Sequence, residues 1–312
     1  YNIWQFYQVT DDMEFMSFYG GQLMLEIARF WASKVSYDED LKRYRILRVM
    51  GPDEFHDRYP DRPEAGVDDN AYTNIMVAWL FWRALEILDR LPKERRRFTM
   101  EDLGLREDEI QQWDTISRNL YVPFHEGVIS QFDGYGELKE FDWEAYRERY
   151  GNIHRLDRIL ESEGDSPNRY KVSKQADVLM LFYLLSADEL RQLFTRLGYE
   201  FDTESIPRTV DYYLERTAHG STLSRVVHAW VLARSHRELS WQLFRDALES
   251  DVEDIQGGTT HEGIHLGAMA GTVDLILRAY SGMESRDQVL WFSPCLPPRI
   301  RSLSFAIRYR GA

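Results

Sequence analysis

Apolar residues recur at intervals of three and four positions along most of the chain, which is the spacing of one buried face of an α-helix. This pattern predicts helices in residues 11–35, 70–91, 106–120, 174–185, 186–198, 204–215, 224–235, 239–249 and 263–280. The segment KQADVLMLFYLL, residues 174–185, is almost wholly apolar and is therefore predicted to be buried. After residue 282 the pattern changes. Apolar and polar residues alternate in VLWFSPCLPPRIRSLSFAIRYRG, which predicts strands.

Polar residues mark several of the predicted helix ends. Asp11 or Asp12 is placed to cap the first predicted helix, and Ser186 with Glu189 forms a capping-box pattern that precedes a helix ending near Gly198. Two long stretches, residues 37–70 and 121–142, lack helical periodicity. Loops of this length in a compact helical domain are usually functional or disordered.

Composition and charge narrow the possible functions. With 312 residues and 44% hydrophobic content, the chain can form one large domain or two modest ones. The net charge of −14 argues against a general nucleic-acid binder, and the short basic cluster KERRRF is interpreted as a solvated helix end. The single cysteine, Cys295, excludes an intrachain disulfide and favours a reducing, cytoplasmic location. The chain begins without Met, as an internal piece of a longer polypeptide would.

The stretch RVMGPDEFH, residues 48–56, carries the first candidate for chemistry. Pro52 restricts the turn and Gly51 frees the backbone, so Asp53 and Glu54 are expected on a rigid corner. A carboxylic acid on such a corner can act as a general acid. The same residues are also typical of an ordinary turn that enters a helix, and spacing alone favours that second interpretation.

Two further polar stretches precede predicted helices. In VDDNAYTN, residues 67–74, the acidic and amide side chains are expected to cap the helix that follows. In KVSKQADV, Lys174 and Gln175 open the apolar helix, where they could hydrogen-bond sugar hydroxyls. A polar helix end in water is the more common role for such a pair.

The stretches HGSTLS, residues 219–224, and GGTTHEGIH, residues 257–265, both place glycine and hydroxyl residues before a helix. Free N–H groups and the positive end of the helix dipole favour an anion there. Two such starts with nearby histidines predict a site for phosphate, sulfate or carboxylate. The histidines lack the spacing of a zinc site, so no metal is expected.

Six stretches in order, VMGPDEFH, DDNAYTN, KQADV, HGSTLS, GTTHEGIHLGAMAGT and FSPCLPPRIRSLSFAIRYRG, resemble glycoside hydrolase family 65. That family contains the maltose, trehalose and kojibiose phosphorylases and their hydrolase relatives. The resemblance implies an all-α (α/α)6 barrel, here expected to be incomplete at its N-terminal side, followed by the start of a small C-terminal β-sandwich. It divides the chain into a partial catalytic barrel, residues 1–285, and the beginning of the sandwich, residues 286–312.

The resemblance also implies an inverting reaction at an α-glucosidic disaccharide, with inorganic phosphate as co-substrate and no cofactor. By match to the family motifs, Glu54 is the general acid, and Lys174 and Gln175 contact the glucosyl hydroxyls. Phosphate is expected near His219, Ser221, Gly258, Thr259 and Thr260. A phosphorylase is favoured because both hydroxyl-rich turns are present, whereas an inverting hydrolase needs a second carboxylate.

Three alternatives stay open at this stage. Glu262 would favour an α-glucoside hydrolase if its carboxylate faced the anomeric carbon. A non-catalytic piece of such an enzyme is the third possibility, because part of the barrel is expected to be missing. The protein is also expected to form a homodimer or to associate with the rest of the barrel, and neither nucleic acid nor membrane is an expected partner.

Overall fold

A computed structural model describes residues 1–202, 204–255, 260–286 and 289–311 of the chain. Most of these residues are helical, as the periodicity predicts. The helices are α1 (Asn2–Thr10), α2 (Met13–Phe15), α3 (Gly21–Ala32), α4 (Ala71–Arg90), α5 (Lys93–Leu103), α6 (Glu107–Asn119), α7 (Trp143–Tyr150), α8 (Leu156–Ser162), α9 (Asp177–Leu184), α10 (Ala187–Arg196), α11 (Ser205–Leu214), α12 (Thr222–Leu232), α13 (Arg237–Glu249) and α14 (Leu266–Asp274). Short π-helical turns at Met16–Gly20 and Leu275–Tyr280 extend α2 and α14.

Several predicted helix ends are confirmed by side-chain caps. Asp12 accepts a hydrogen bond from the backbone N–H of Phe15, and Ser186 accepts one from the N–H of Glu189. Asn70 caps α4 by accepting from the N–H of Thr73. These caps form because short polar side chains satisfy N–H groups that have no partner within the helix.

The predictions missed several elements. The helices α1, α7 and α8 have no counterpart in the predicted set, and the KERRRF cluster opens a whole helix, α5. The predicted loop 37–70 begins with an antiparallel hairpin, β1 (Val35–Asp38) with β2 (Arg43–Ile46). The loop 121–142 contains a shorter hairpin, β3 (Phe124–His125) with β4 (Val128–Ile129).

The apolar helix α9 is largely buried among other helices, as predicted. It packs against α4, α11 and α12, while α12 also packs against α13 and α14. Val178, Leu179 and Leu181 of α9 are fully buried, and Phe182 is nearly so. This burial removes apolar surface from water and fixes the start of α9, which begins at Asp177 and directly follows Lys174 and Gln175.

A smaller apolar cluster lies apart from the main core, under the first candidate turn. It consists of Phe55, Phe141, Leu156, Leu160, Val172 and Ala218. These residues come from the candidate turn, the segment before α7, the helix α8, and the strand-like segments before α9 and α12. The cluster therefore joins the local chain around residue 54 to the chain around residue 174 and residue 218.

The C-terminal region forms one antiparallel hairpin, β5 (Glu284–Arg286) with β6 (Val289–Trp291). The predicted alternating segment continues to residue 311, yet in its described part strand structure is confined to β6. A strand needs a neighbour that pairs with several consecutive backbone groups. Residues 292–311 instead show isolated backbone hydrogen bonds to other segments, from Ser293 to Gly282, from Cys295 to Tyr280 and from Arg310 to Val9. The division at residues 285 and 286 stays a prediction. No helix in the described ranges is long and apolar enough to cross a membrane.

Candidate functional site

The turn that carries Glu54 is packed tightly against the start of α9. A Cβ atom at Gly51 would lie 2.0 Å from Oδ2 of Asp177 and 2.3 Å from Nδ2 of Asn70. No side chain larger than hydrogen fits between these two polar groups. The glycine of the GPDE stretch is therefore required by close approach to α9 and to the cap of α4.

Asp53 points into the protein and holds the turn in place. The residue is 1% exposed, and Oδ1 accepts a hydrogen bond of 2.9 Å from the backbone N–H of Lys174. Oδ2 accepts a second hydrogen bond, of 2.8 Å, from Nε2 of Gln131. Both oxygens are thus engaged inside the protein, so Asp53 is a structural carboxylate and is not available to a substrate.

Asp177 is a second buried carboxylate beside this turn, and the sequence predictions missed it. It is fully buried and accepts a hydrogen bond of 2.9 Å from Nδ2 of Asn70. Burial, and secondly the negative charge of Asp53, raise the pKa of Asp177 well above its usual range. The sequence clue was an aspartate within the apolar stretch of α9, where a charge is costly unless it has partners.

Glu54 has the opposite environment, because its side chain is 68% exposed. Its Oε2 atom lies 2.6 Å from Nζ of Lys174, whose side chain is 17% exposed. The structure therefore brings together the predicted acid and one of the two predicted sugar-binding residues, although they are far apart in sequence. An exposed carboxylate on a turn anchored by buried ones is well placed to meet a ligand.

Gln175 lies beside the same turn but is held by it. Its Nε2 donates a hydrogen bond of 2.8 Å to the backbone oxygen of Pro52, while Oε1 is buried without a partner in the described structure. The amide is therefore aligned against the turn. The unused carbonyl oxygen is the part of this side chain that a sugar hydroxyl could still satisfy.

The turn before α12 lies against Lys174, so two of the predicted stretches meet. A Cβ atom at Gly220 would lie 2.4 Å from the backbone oxygen of His154 and 3.1 Å from Cγ of Lys174. The glycine of HGSTLS is thus required by close packing against both groups. Lys174 therefore lies between Glu54 and the turn that was predicted to hold an anion.

His219 and Ser221 shape that turn. His219 has a left-handed backbone, with φ of 54°, and its Nδ1 lies 2.9 Å from Oγ of Ser224. Burial is the largest cause that lowers the pKa of His219 well below its usual range, and the positive charge of Arg225 acts in the same direction, so the ring is neutral at pH 7. Ser221 caps α12 through a 3.3 Å hydrogen bond from the N–H of Leu223. This cap occupies its hydroxyl oxygen but leaves the hydroxyl hydrogen free to donate.

The second predicted turn is described only in part. Gly258 and Thr259 lie outside the described residues. Thr260 donates from both its backbone N–H and its hydroxyl to Oδ1 of Asp254, each at 3.2 Å. In this arrangement the donors that were predicted for phosphate bind a carboxylate of the chain itself.

His154, which the predictions also missed, contacts both turns. Its backbone oxygen lies against Gly220, and its Nδ1 lies 3.1 Å from the backbone oxygen of Ile255. Its Nε2 lies 3.3 Å from a guanidinium nitrogen of Arg225. The chain segments that lead to the two predicted anion turns therefore converge on one histidine.

Comparison with known families supports the resemblance seen in the motifs. Residues 1–274 match the model of the glycosyl hydrolase family 65 central catalytic domain. Residues 283–312 match the model of the glycosyl hydrolase family 65 C-terminal domain. Together the two models cover nearly the whole chain.

Individual relatives agree with the family match. An uncharacterized glycosyl hydrolase of Mycobacterium tuberculosis (strain CDC 1551 / Oshkosh) is 57% identical over 310 residues, which are 99% of this chain and 23% of that protein. The trehalose 6-phosphate phosphorylase of Lactococcus lactis subsp. lactis (strain IL1403) is 38% identical over 316 residues, which cover 100% of this chain and 39% of that enzyme. The chain thus spans well under half the length of the relatives it matches.

A solved structure supports the fold. A protein from the human microbiome, assigned as a kojibiose phosphorylase, superimposes with a TM-score of 0.75 at 24% sequence identity. The match covers 95% of this chain and 38% of that one. The helical body followed by a small C-terminal sheet is therefore that of the (α/α)6-barrel family, as the motifs implied.

Proposed function

This chain belongs to glycoside hydrolase family 65, and from that membership we propose that it carries the acid side of an inverting phosphorolysis reaction. The substrate is an α-glucosidic disaccharide, and the products are β-glucose 1-phosphate and a free sugar. Glu54 protonates the glycosidic oxygen, and inorganic phosphate attacks the anomeric carbon from the opposite face. No cofactor takes part.

The observation that carries this proposal is the contrast between Glu54 and its two buried neighbours. Asp53 and Asp177 are buried and hydrogen-bonded, so neither can reach a substrate. Glu54 is exposed and lies on a turn that these carboxylates hold rigid. A general acid has to be within hydrogen-bond reach of the leaving oxygen, and rigid placement favours that geometry.

Lys174 and Gln175 have the roles of substrate-binding residues in this proposal. Lys174 donates a hydrogen bond of 2.6 Å to Glu54. A glucosyl hydroxyl that binds Lys174 draws its ammonium group from Glu54 and leaves that carboxyl directed at the glycosidic oxygen. The unused amide oxygen of Gln175 accepts a hydrogen bond from a second hydroxyl.

Phosphate occupies the turn before α12 in this proposal. The N-terminal N–H groups of α12, the Ser221 hydroxyl and the neutral His219 ring offer hydrogen-bond donors to an anion. Phosphate is already a competent nucleophile, so a second carboxylate base is not needed, unlike in an inverting hydrolase. The names of several relatives as phosphorylases of α-glucosides agree with this assignment.

The experiment that tests the proposal is a substrate screen on the full-length protein. Maltose, trehalose, kojibiose, nigerose and trehalose 6-phosphate are incubated with and without inorganic phosphate, and glucose 1-phosphate and glucose are both measured. We expect phosphate-dependent glucose 1-phosphate from at least one sugar. Glucose release that does not depend on phosphate would instead identify an α-glucoside hydrolase on the same scaffold.

Two further expectations belong to this proposal. A cytoplasmic location suits an enzyme that consumes inorganic phosphate and returns a sugar phosphate. Association into a homodimer, or with further barrel helices, would cover the apolar face of α3, where Leu23, Ile27 and Phe30 are exposed. Size-exclusion chromatography with light scattering measures the oligomeric state directly.

A further inference from the structure

Arg225 is a buried cation in α12 whose partners carry no negative charge. The residue is 3% exposed. One guanidinium nitrogen donates to the backbone oxygen of His219 at 3.4 Å, and another lies 3.3 Å from Nε2 of His154. Within the described ranges, Arg225 forms no ion pair with a carboxylate, and Asp246 acts on it only through its charge.

Such an arrangement is costly unless something compensates the charge. Burial lowers the pKa of Arg225, but a guanidinium still stays protonated at any physiological pH. A buried charge without a counter-charge destabilises a fold strongly, which is why buried arginines normally pair with carboxylates. Because no carboxylate of the described residues pairs with Arg225, its positive charge is available to an anion.

The hydrogen-bond pattern around His154 ties Arg225 to both predicted anion turns. Nδ1 of His154 faces a carbonyl oxygen, that of Ile255, so this nitrogen must carry the hydrogen and donate it. Nε2 then presents a lone pair, which accepts from Arg225. Arg225 therefore holds the carbonyl of His219 directly and the segment ending at Ile255 through His154.

The neighbouring basic groups do not replace this charge. His228 donates from Nδ1 to the backbone oxygen of Ser224, and burial lowers its pKa to about 4, so it is neutral at pH 7. His219 is neutral as well, since its pKa is also strongly lowered. Lys174 is paired with Glu54, and Arg147 is exposed to solvent. Arg225 is the buried permanent charge of this group.

We infer that Arg225 is a positioning residue for the phosphate subsite, which it serves by fixing the His219 turn and by supplying the positive potential beneath it. The inference rests on the proposed function and names a residue that acts through its neighbours, without direct contact with the sugar. It explains how an acidic chain can bind an anion at this place. A helix dipole alone makes only a small contribution at an exposed site.

The test compares Arg225→Met with Arg225→Lys in the full-length protein. Arg196→Met is the matched control, because Arg196 is also largely buried but pairs with Asp114, on α6. Phosphate affinity is measured by calorimetric titration of inorganic phosphate, and turnover gives the KM for phosphate and for the sugar. For Arg225→Met we expect phosphate binding weaker by roughly 10- to 100-fold, from the loss of one nearby unit charge.

The sugar KM should change by less than about twofold, since Arg225 acts through the His219 turn and not through Lys174. Arg225→Lys should restore part of the phosphate affinity, and the control should leave it unchanged. Equal losses in phosphate and sugar binding, or unchanged phosphate affinity in Arg225→Met, would overturn the inference. If Arg225→Met does not fold, Arg225→Lys decides alone: weaker phosphate binding with an unchanged sugar KM supports the inference, and unchanged phosphate binding refutes it.

Calorimetry separates this inference from the proposed function. Phosphate that binds in an Arg225-dependent way, in a protein without phosphate-dependent turnover, would refute the phosphorylase assignment and leave the role of Arg225 intact. A wild-type protein that turns over with phosphate, but whose phosphate KM is the same in all three variants, would refute only the role of Arg225. Absence of phosphate binding to the wild-type protein would refute both.

Discussion

The turn that carries Glu54 and the turn before α12 meet at Lys174, yet groups of opposite character hold them. Around Glu54 the anchors are the buried carboxylates of Asp53 and Asp177, which face backbone and side-chain amides. Around His219 the anchors are imidazoles and the guanidinium of Arg225. Each side also depends on one glycine that packs too closely for any side chain.

The difference shows how a chain of net charge −14 can be arranged to accept an anion. Carboxylates on the Glu54 side are turned inward, so that one exposed carboxyl group is presented. On the other side the permanent positive charge of Arg225 is buried among neutral imidazoles, so that positive potential is concentrated locally. A proton donor on one side and an anion on the other are what an inverting displacement requires.

The largest effect is expected from Glu54→Gln. Loss of the proton donor should lower turnover of the disaccharide by about 10²- to 10⁴-fold, the usual range for general acid catalysis. Phosphate affinity should stay the same, because the change is on the carboxylate side. Glu101→Gln, at a similarly exposed glutamate on α5, is the control. Steady-state kinetics with calorimetric phosphate titration measures both effects, and an activity loss below about threefold would remove Glu54 from the role.

Substitution of alanine for Gly51 or Gly220, which are closely packed, should destabilise the protein more than the same substitution at a glycine with free space around it. Gly51→Ala and Gly220→Ala place a methyl group 2.0 Å and 2.4 Å from fixed polar atoms, so each should lower the free energy of unfolding by about 1–3 kcal/mol. Gly51→Ala should mainly lower kcat, and Gly220→Ala should mainly raise the phosphate KM. Gly267→Ala in α14 meets only ordinary contact at 3.7 Å and should be neutral or slightly stabilising. Denaturant unfolding checks the order, and equal stability of all three variants would contradict it.

The two sides should respond to pH in opposite directions. The pKa of His228 is about 4 in the fold and about 6.5 in an unfolded chain. As pH falls, His228 is therefore protonated in the unfolded chain before it is protonated in the fold. The stability that comes from burying the neutral ring is lost as pH falls from about 6.5 to 4. The pKa of Asp177 is raised in the fold, so its contribution is present at low pH and is lost as pH rises through the folded pKa.

Unfolding curves between pH 4 and pH 8 for the wild type, His228→Gln and Asp177→Asn measure these contributions. The free energy of unfolding of His228→Gln should be lowest relative to that of the wild type at neutral pH. This difference from the wild type should shrink as pH falls. The free energy of unfolding of Asp177→Asn should increase relative to that of the wild type as pH rises. Variants whose differences from wild type do not change with pH would show that neither group is coupled to folding in this way.

The smallest effect is expected from Ser221→Ala, which removes the cap of α12. Loss of the cap should destabilise the protein by about 1 kcal/mol and raise the phosphate KM several-fold. Ser186→Ala removes the equivalent cap of α10, away from the site, and is the matched control. Ser186→Ala should lower the free energy of unfolding by a similar amount without any change in the phosphate KM. Identical phosphate constants in the two variants would mean that the Ser221 hydroxyl does not contact phosphate.

The sequence pattern was sufficient to predict features that depend on interactions between residues close together in the chain. The caps Asn70 and Ser186 and the burial of α9 follow from residues within one or two helical turns, and they were predicted correctly. The meeting of Glu54 and Lys174 depends on packing between distant segments, and it was expected only through the family resemblance. Helix α5 was underestimated because its charged residues lack an apolar stripe.

The residues that the predictions missed share a physical reason. Asp177 and Arg225 each stand inside an apolar helical pattern, where a polar position is ordinarily assigned to the solvent side. His154 precedes a short helix and has no motif around it. Their importance comes from burial and from the partners that burial gives them, and neither can be deduced from spacing along the chain. The hydrogen bonds that Thr260 donates to Asp254 likewise cannot be predicted from the sequence pattern.

The most direct test of the division between the two sides uses a substrate that does not need an acid. Fluoride leaves without protonation, so α-glucosyl fluoride with phosphate bypasses the proton donor while still requiring the anion side. The full-length Glu54→Gln protein should retain near wild-type turnover of α-glucosyl fluoride to β-glucose 1-phosphate, while turnover of the disaccharide falls by about 10²-fold or more. Equal loss with both substrates, in a folded protein, would show that Glu54 does not act as the acid.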